Sequence, residues 1–399
     1  MEFELLGNIC EVVRGSSPRP QGDKRYYGGN IPRLMIADVT RDKKYVTPII
    51  DSLTEEGAAK SRPMKKGDLI IAVSGDPGRV CFLNVDACIH DGFVGLRNLD
   101  ESKYDKEFLY YYLTFFKSSM KHRAYGAIFQ NITTDILKGI KIPKLSISAQ
   151  NNIAKLASKA ENLIAQRKES IRLLDEFLSS TFLEMFGDPA RNEKGWEVKI
   201  FEEFTERITK GESPKWQGFD YLDSGVRFIT SENVLWGSVD LQKAKFIHED
   251  FHKKLKRSQL KENDLLVNLV GASVGRASLC PKEALPANIN QAVATITLNH
   301  ELINEIYVMH LFINPSFQRL LLGNVVEAAR ANLSLSDLRN LKFPVPPIEL
   351  QTQFAKIVEK TEALKTQYQQ SLQELENLYG SLSQKAFMGE LFINKPVSV

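Results

Sequence analysis

The sequence predicts an α+β protein: two tandem mixed α/β modules, each followed by a long helix, with the two helices pairing as an antiparallel coiled coil. Three observations predict it. The same local signals occur twice in the same order. Each copy opens with short β-branched and apolar runs cut by turn residues. Each copy closes with a long proline-free stretch that carries a heptad seam.

The duplication is visible residue by residue. Arg14-Gly15-Ser16-Ser17-Pro18 pairs with Lys210-Gly211-Glu212-Ser213-Pro214, and Gly67-Asp68-Leu69-Ile70 with Asn263-Asp264-Leu265-Leu266, both at an offset of 196. Gly78-Arg79 pairs with Gly275-Arg276 at 197, and Phe108-Leu109 with Ile306-Tyr307 at 198. Asn131-Ile132-Thr133, Ile142-Pro143 and Gln150 pair with Asn332-Leu333-Ser334, Phe343-Pro344 and Gln351 at 201. An offset that only grows is what one fold with loop insertions produces. Two copies in one chain imply a pseudo-two-fold axis, and duplex DNA is the commonest partner with matching symmetry.

Within a copy, Leu69–Val73 before Ser74-Gly75-Asp76-Pro77-Gly78, and Leu265–Val270 before Gly271, read as buried strands ending in tight turns. Aromatic helices are expected near Lys106–Lys121 and Glu305–Leu322. The long helices follow, ending near Gly187 and Gly389, roughly 38 residues and about 57 Å each. Their seams read Ile153, Leu156, Ala160, Leu163, Arg167, Ser170, Leu174, Phe177 and Leu350, Phe354, Ile357, Thr361, Leu364, Tyr368, Ser371, Leu375, Leu378. The first helix, entered through Pro143-Lys144-Leu145-Ser146, is expected to start more loosely than the second, which follows Pro344-Val345-Pro346-Pro347.

With 399 residues, 43% apolar, 25% charged and a net charge of +3, the composition is that of two or three ordinary globular domains. Near-neutrality neither demands nor excludes nucleic acid. Cys10, Cys81, Cys88 and Cys280 form no metal or disulfide pattern and fit a reducing cytoplasm. Neither a signal peptide nor a membrane span is expected.

The motifs of catalysis are missing. No Asn/Asp-Pro-Pro-aromatic loop, glycine-rich cofactor turn, phosphate loop or nuclease Pro-Asp motif occurs. His248 and His252 could share a helix face but lack a third ligand, and His90 reads as structural or DNA-facing. No nucleophile or metal set recurs between the copies, so the expectation is a binding protein with no cofactor and no metal, not an enzyme. Candidate DNA-contacting groups cluster in the mixed modules. They are Arg14, Ser16, Arg19, Lys24, Arg25, Tyr26, Tyr27, Arg41, Lys43, Lys44 and Arg79 in the first, and Lys210, Lys215, Trp216, Arg227, Lys253, Lys254, Lys256, Arg257 and Arg276 in the second. Arg79 and Arg276 stand out, each following a glycine near the end of a predicted strand. Glu212, where the first copy has Ser16, disfavours a phosphate contact; it faces away or accepts from cytosine N4.

Three segments carry a family resemblance. Arg14-Gly-Ser-Ser-Pro-Arg-Pro20 with Tyr26-Tyr-Gly-Gly29 and Ile31-Pro32 resembles the opening of a target recognition domain. Met185-Phe-Gly-Asp-Pro189 with Asn192 and Gly195-Trp196 resembles a central junction, and Lys385-Ala-Phe-Met-Gly-Glu-Leu391 a C-terminal end. The chain is thereby similar to the DNA-specificity subunits of type I restriction–modification systems. The resemblance implies recognition domains at 1–147 and 199–347, spacer helices at 148–187 and 348–389, a linker at 188–198 and a tail at 390–399. It implies double-stranded DNA as ligand and a bipartite site. The implied partners are two modification subunits carrying S-adenosylmethionine and the methyltransferase chemistry, and restriction subunits using ATP and Mg. The alternatives are a protein-binding scaffold on the same fold, or a specificity subunit of a related phage-defence or single-chain restriction system.

Overall fold

The computed structural model describes residues 2–122, 132–323 and 332–387; Asn131, Met388–Leu391 and the tail lie outside them. The chain divides into two compact units, Met1–Lys168 with Ser371–Val399, and Glu169–Gln370. The division falls inside both long helices.

The continuous apolar runs have a simple cause in the first unit. Its main sheet has the strand order Glu11–Arg14, Phe93–Arg97, Leu69–Ala72, Val80–Leu83, Tyr45–Val46. Alternate residues serve two cores. Leu69, Ile71, Val80, Phe82, Val94 and Leu96 pack toward the aromatic helix Lys106–His122, against Phe108, Leu109 and Tyr111. Ile70, Ala72, Cys81, Leu83 and Phe93 face the other way, onto Leu34, Met64 and Ile89 of a second sheet (Asp51–Leu53, Tyr27–Leu34, Ala87–Ile89, Arg62–Met64). A strand buried on both faces leaves no polar side to alternate with.

The second unit repeats this. Thr205–Lys210, Val293–Leu298, Leu265–Asn268 and Ala277–Leu279 form its main sheet in the corresponding order. Leu265, Val267 and Ile296 face Tyr307, Leu311 and Phe312, whereas Leu266 and Val293 face Ile229, Ala287 and Ile289. The aromatic helix expected near Glu305–Leu322 is two helices, Glu305–Ile313 and Pro315–Leu322. Pro315 cannot continue a helix, and the Asn314 side chain caps the new one by accepting from Ser316 and Phe317 N–H.

The long helices are Ile147–Phe186 and Ile348–Phe387, 40 residues each, or about 60 Å. Gly380 is carried inside the second, at about 1 kcal/mol relative to alanine. Both helices start equally firmly. Buried Gln150 accepts from Asp105 N–H at 2.9 Å and donates to Lys103 O and Leu145 O; buried Gln351 accepts from Asn304 N–H at 2.9 Å and donates to Pro346 O. This glutamine clamp makes the proline count before the helix irrelevant, so the looser start expected for the first helix is corrected.

Within each unit the helix segments run antiparallel. In the first, Lys168 pairs with Glu376 at 2.7 Å, and Phe387 packs on Phe108, Tyr112 and Phe115. In the second, Lys365 pairs with Asp175 at 2.5 Å, while Phe182 and Phe186 pack on Phe354 and Tyr307. Trp196 Nε1 donates to Phe186 O at 2.9 Å, satisfying a carbonyl of the last turn. Asn192 holds Trp196 through both its N–H and C=O.

The seam differs from expectation in phase. Ile153, Arg167, Leu174, Phe354, Ile357, Tyr368 and Leu375 are buried or part-buried. Leu156, Leu163 and Leu364 are exposed, as are Phe177 and Leu378. The steps from Ile153 and Phe354 are four then three, not three then four: Ala157, Ile164, Ile171 and Leu178, with Val358, Lys365, Leu372, Tyr379 and Ala386, complete the inward line. Both lines are largely apolar, so periodicity alone does not choose. The end anchors choose, because Phe182 and Phe186 extend the Leu178 face.

Buried His310 sits edge-on to Phe354. Burial first, and the Lys365 charge second, lower its pKa from 6.5 to about 4. A depressed base pKa means that the unfolded chain binds the proton more readily. The stabilisation is therefore complete above about pH 6.5 and is lost as pH falls toward 4. Denaturant midpoints should decline across that window in the wild type, and His310→Phe should flatten the decline.

Candidate nucleic-acid interface

Three loops meet at one end of the main sheet in each unit, and backbone contacts dictate the meeting. Gly15 leaves its strand so close to a neighbouring one that a Cβ would stand 1.9 Å from His90 O; at Gly211 it would stand 1.6 Å from Ile289 O. Only glycine permits that approach. Gly15 N–H donates to Phe93 O and Ser16 N–H to Ile89 O; Gly211 N–H donates to Asn290 O. The second loop is the turn at 90–92. His90 Nδ1 accepts from Gly92 N–H at 2.8 Å, and in the other unit Asn290 Oδ1 accepts from Ala292 N–H at 3.1 Å. The third is the hairpin turn carrying Arg79 or Arg276. It closes through Gly78 N–H on Ala72 O and Gly275 N–H on Asn268 O, and is tied to the second loop through Val73 N–H on Gly92 O and Leu269 N–H on Ala292 O.

This edge gathers some of the residues singled out above. In the first unit Arg14 spans it, donating to Asp91 O and Ile132 O. Ser16 Oγ donates to Lys60 O, and Arg19, 69% exposed, reaches only to 3.8 Å from Asp91. Arg79 lies 3.8 Å from Asp76. In the second unit Lys210 and Lys215 are exposed, Trp216 is 70% exposed, and Arg257 pairs with Glu212. Glu212 also accepts from Gln217 at 2.7 Å, so its carboxylate is engaged within the domain. Arg276 is part-buried, with no side-chain partner among the described residues.

Other candidates are committed elsewhere. Arg25 is held by Asp23, whose pKa its hydrogen bonds pull down to about 2. Arg41 is spent on Asp42, Asp38 and Thr47 O. Tyr26 is buried, its hydroxyl accepting from Lys60, and Tyr27 donates to Pro18 O. Lys44 is enclosed by Glu107 and the Tyr110 and Tyr111 rings. Arg227 donates to Glu283 O, Lys253 pairs with Glu249, and Lys254 lies over Phe219. Lys24, Lys43 and Lys256 are exposed. His248 caps a helix by accepting from Asp250 N–H, and His252 contacts Asn288, so the two are not a ligand pair.

One residue at this edge was not singled out. Arg33, 5% exposed, binds Asp51 at 2.5 Å and Ser17 Oγ at 2.8 Å and stacks on Tyr27. It follows Ile31-Pro32 in sequence, but its partners are remote, so no local signal marks it. Burial first, and the Arg33 charge second, lower the His90 pKa from its ordinary value. Burial raises the Cys10, Cys81 and Cys280 thiols to about 12, so none is a nucleophile. Among the described residues no acidic, histidine or cysteine group could hold a metal, and no helix is long and apolar enough to cross a membrane.

The duplicated sequence has a family counterpart. Residues 1–173 and 193–377 each match the type I restriction modification DNA specificity domain. The chain belongs to that family. It is 26% identical over 354 residues to the Type I restriction enzyme EcoBI specificity subunit of Escherichia coli, covering 81% of this chain and 73% of the relative. It is 23% identical to the MjaIX specificity subunit of Methanocaldococcus jannaschii, covering 99% and 94%. A chain from a type I R-M system, solved for its complex assembly and conformational transition, superposes with a TM-score of 0.64 at 16% identity over 97% of both chains. The type I S subunit from M. genitalium superposes at 0.55 with 15% identity, over 96% and 95%. At such identities the structural likeness speaks for the fold.

In a DNA-specificity chain the frame must hold its loops rigidly. Gly15→Ala should lower stability by about 1–3 kcal/mol or more, because backbone and not a side chain lies in the way. Gly139→Ala, whose Cβ meets nothing closer than 3.4 Å, should stay near wild type. Denaturant unfolding of the two variants checks the contrast.

Proposed function

We infer that the chain is a non-catalytic specificity subunit that reads a bipartite duplex site, one half with each unit. The observation that carries this is the same three-loop edge built twice, each copy presenting a hairpin arginine and uncommitted polar groups. Arg19 and Arg79 at one edge, and Lys215, Trp216 and Arg276 at the other, are the contacts we assign to DNA; arginine serves both phosphate and the guanine edge. Exposed apolar residues on the helix segments of each unit support docking of modification subunits. Leu156, Leu163 and Leu378 in the first unit, and Leu173, Phe177 and Leu364 in the second, lie outside the buried seam, where a lone chain gains nothing from them. The methyltransferase chemistry, with S-adenosylmethionine, belongs to those subunits. Restriction subunits using ATP and Mg would join them, in the cytoplasm.

Arg79→Ala and Arg276→Ala test the reading. Each should weaken binding through its own half-site only, by about 1–3 kcal/mol, in competition among duplexes with one half-site randomised. Folded variants that bind and discriminate as wild type does would remove both arginines from the interface.

The helices we assign to spacing. Inserting four residues after Lys168 adds about 6 Å along the axis. At ~3.4 Å per base pair the preferred spacer should lengthen by one or two base pairs, with the half-site sequences unchanged. Four residues are not a heptad, so stability should also fall. Duplexes with varied spacers decide: an unchanged optimum in a folded variant means that the helices do not set the spacing.

A further inference from the structure

Behind each arginine-bearing turn, at the same place in the fold, stands a polar side chain that holds it. Lys117, in the helix Lys106–His122, and Gln318, in the helix Pro315–Leu322, stand 201 apart, the offset that relates the two long helices. The two turns are alike in backbone. Ala72 N–H donates to Arg79 O and Arg79 N–H to Asp76 O; Asn268 N–H donates to Arg276 O and Arg276 N–H to Ser273 O. The chemistry behind them differs. Lys117, 15% exposed, places Nζ 2.6 Å from Asp76 Oδ1. Asp76 is also the carboxylate 3.8 Å from Arg79. Buried Gln318 donates from Nε2 to Gly275 O at 2.8 Å and to Phe312 O. A Cβ on Gly275 would stand 2.4 Å from Gln318 Oε1, so the amide lies flat against the turn.

We propose that Lys117 and Gln318 are positioning residues that set the two half-site readers by different physics. Lys117 engages the Asp76 carboxylate from the domain side. That fixes the turn and offsets the pull of Asp76 on the Arg79 guanidinium, leaving Arg79 free to turn outward. Gln318 carries no charge. It pins the main chain one residue before Arg276 and links it to the Phe312 carbonyl at the end of the preceding helix. The first reader is then held by an ion pair whose carboxylate is 45% exposed, and salt screens such a pair. The second is held by a buried neutral amide, which salt does not reach. The proposal rests on the reading that these edges bind DNA.

The test uses the full chain with the subunits that co-assemble with it, on a bipartite duplex found by selection. Selectivity is scored at each half-site as the affinity ratio of matched to mismatched duplex, so that the phosphate contribution common to both cancels. Lys117→Met should lower selectivity at the first half-site about tenfold, the scale of one base-edge contact, and leave the second unchanged; Lys117→Arg should restore it. Gln318→Met should do the reverse. In the wild type, selectivity at the first half-site should fall as salt rises while the second holds. Equal selectivity in wild type and Lys117→Met, with the fold intact by unfolding midpoint, overturns the proposal, as does a parallel salt response at both half-sites. Should Gln318→Met fail to fold, the Lys117 series and the salt profile still decide. A wild-type complex that binds DNA without any half-site preference would instead sink the DNA-reading assignment itself, a result separate from either of these.

Discussion

The burial of two phenylalanine rings, Phe186 and Phe387, is the interaction on which the rest of the structure depends. A 40-residue helix exposed along its middle has little reason to be straight or correctly rotated. Here each long helix starts in one core and ends in another. Ile153, Ala154 and Ala157 belong to the core of the first unit, and Phe186 to that of the second; Phe354 and Val358 belong to the second, and Phe387 to the first. Removing such a ring typically costs about 3–5 kcal/mol, a large part of a domain's stability. These anchors fix helix rotation, and with it which of two apolar lines is buried. The line left outside is apolar and exposed at Leu156, Leu163, Phe177, Leu364 and Leu378, so the same rings that complete the cores also decide which apolar residues the helices leave outside.

How much of this the sequence disclosed depends on whether the cause was local. The duplication, the two-sided strands and the long helices all follow from order and periodicity, which are local. Leu69–Ala72 reads as a buried strand because both its faces are apolar, and it is one. The phase of the seam is not local. Leu156 and Ala157 are both acceptable inward residues, and the choice lies with Phe182 and Phe186 a full helix length away. The break at Pro315 is local too: proline cannot continue a helix, and the two helices meet there although the apolar pattern runs on across it.

The interface shows the same limit. Arginines and lysines can be counted from sequence, but their partners cannot. Arg25 and Arg41 have carboxylates within two residues, Asp23 and Asp42, which hold them in the domain. Arg33 owes its burial to Asp51, eighteen positions on. Lys117 and Gln318 gave no signal at all, since their function is expressed only through the turn behind which they stand. What sequence did carry was the pair Gly78-Arg79 and Gly275-Arg276 at a common spacing, and these are the residues that both turns present.

The two units keep one backbone frame and fill it with different polar groups. His90 and Asn290 accept the same turn N–H. Asp38 and Asn233 accept from Met35 and Thr230 N–H at matching places after the strand. Asp68 and Asp264 both accept from the N–H three residues before, but only Asp264 is also bound by an arginine, Arg207, at 2.6 Å. In each pair the requirement is an acceptor at a fixed point, and more than one side chain meets it. Because main-chain hydrogen bonds and glycine contacts hold the loops, the side chains that face outward are released from holding the fold. That separation lets a duplicated domain present Arg19 at one edge and Trp216 at the other without rebuilding either sheet. A frame fixed by backbone, with readers free to differ, is what a protein needs if its two halves are to recognise unlike sequences.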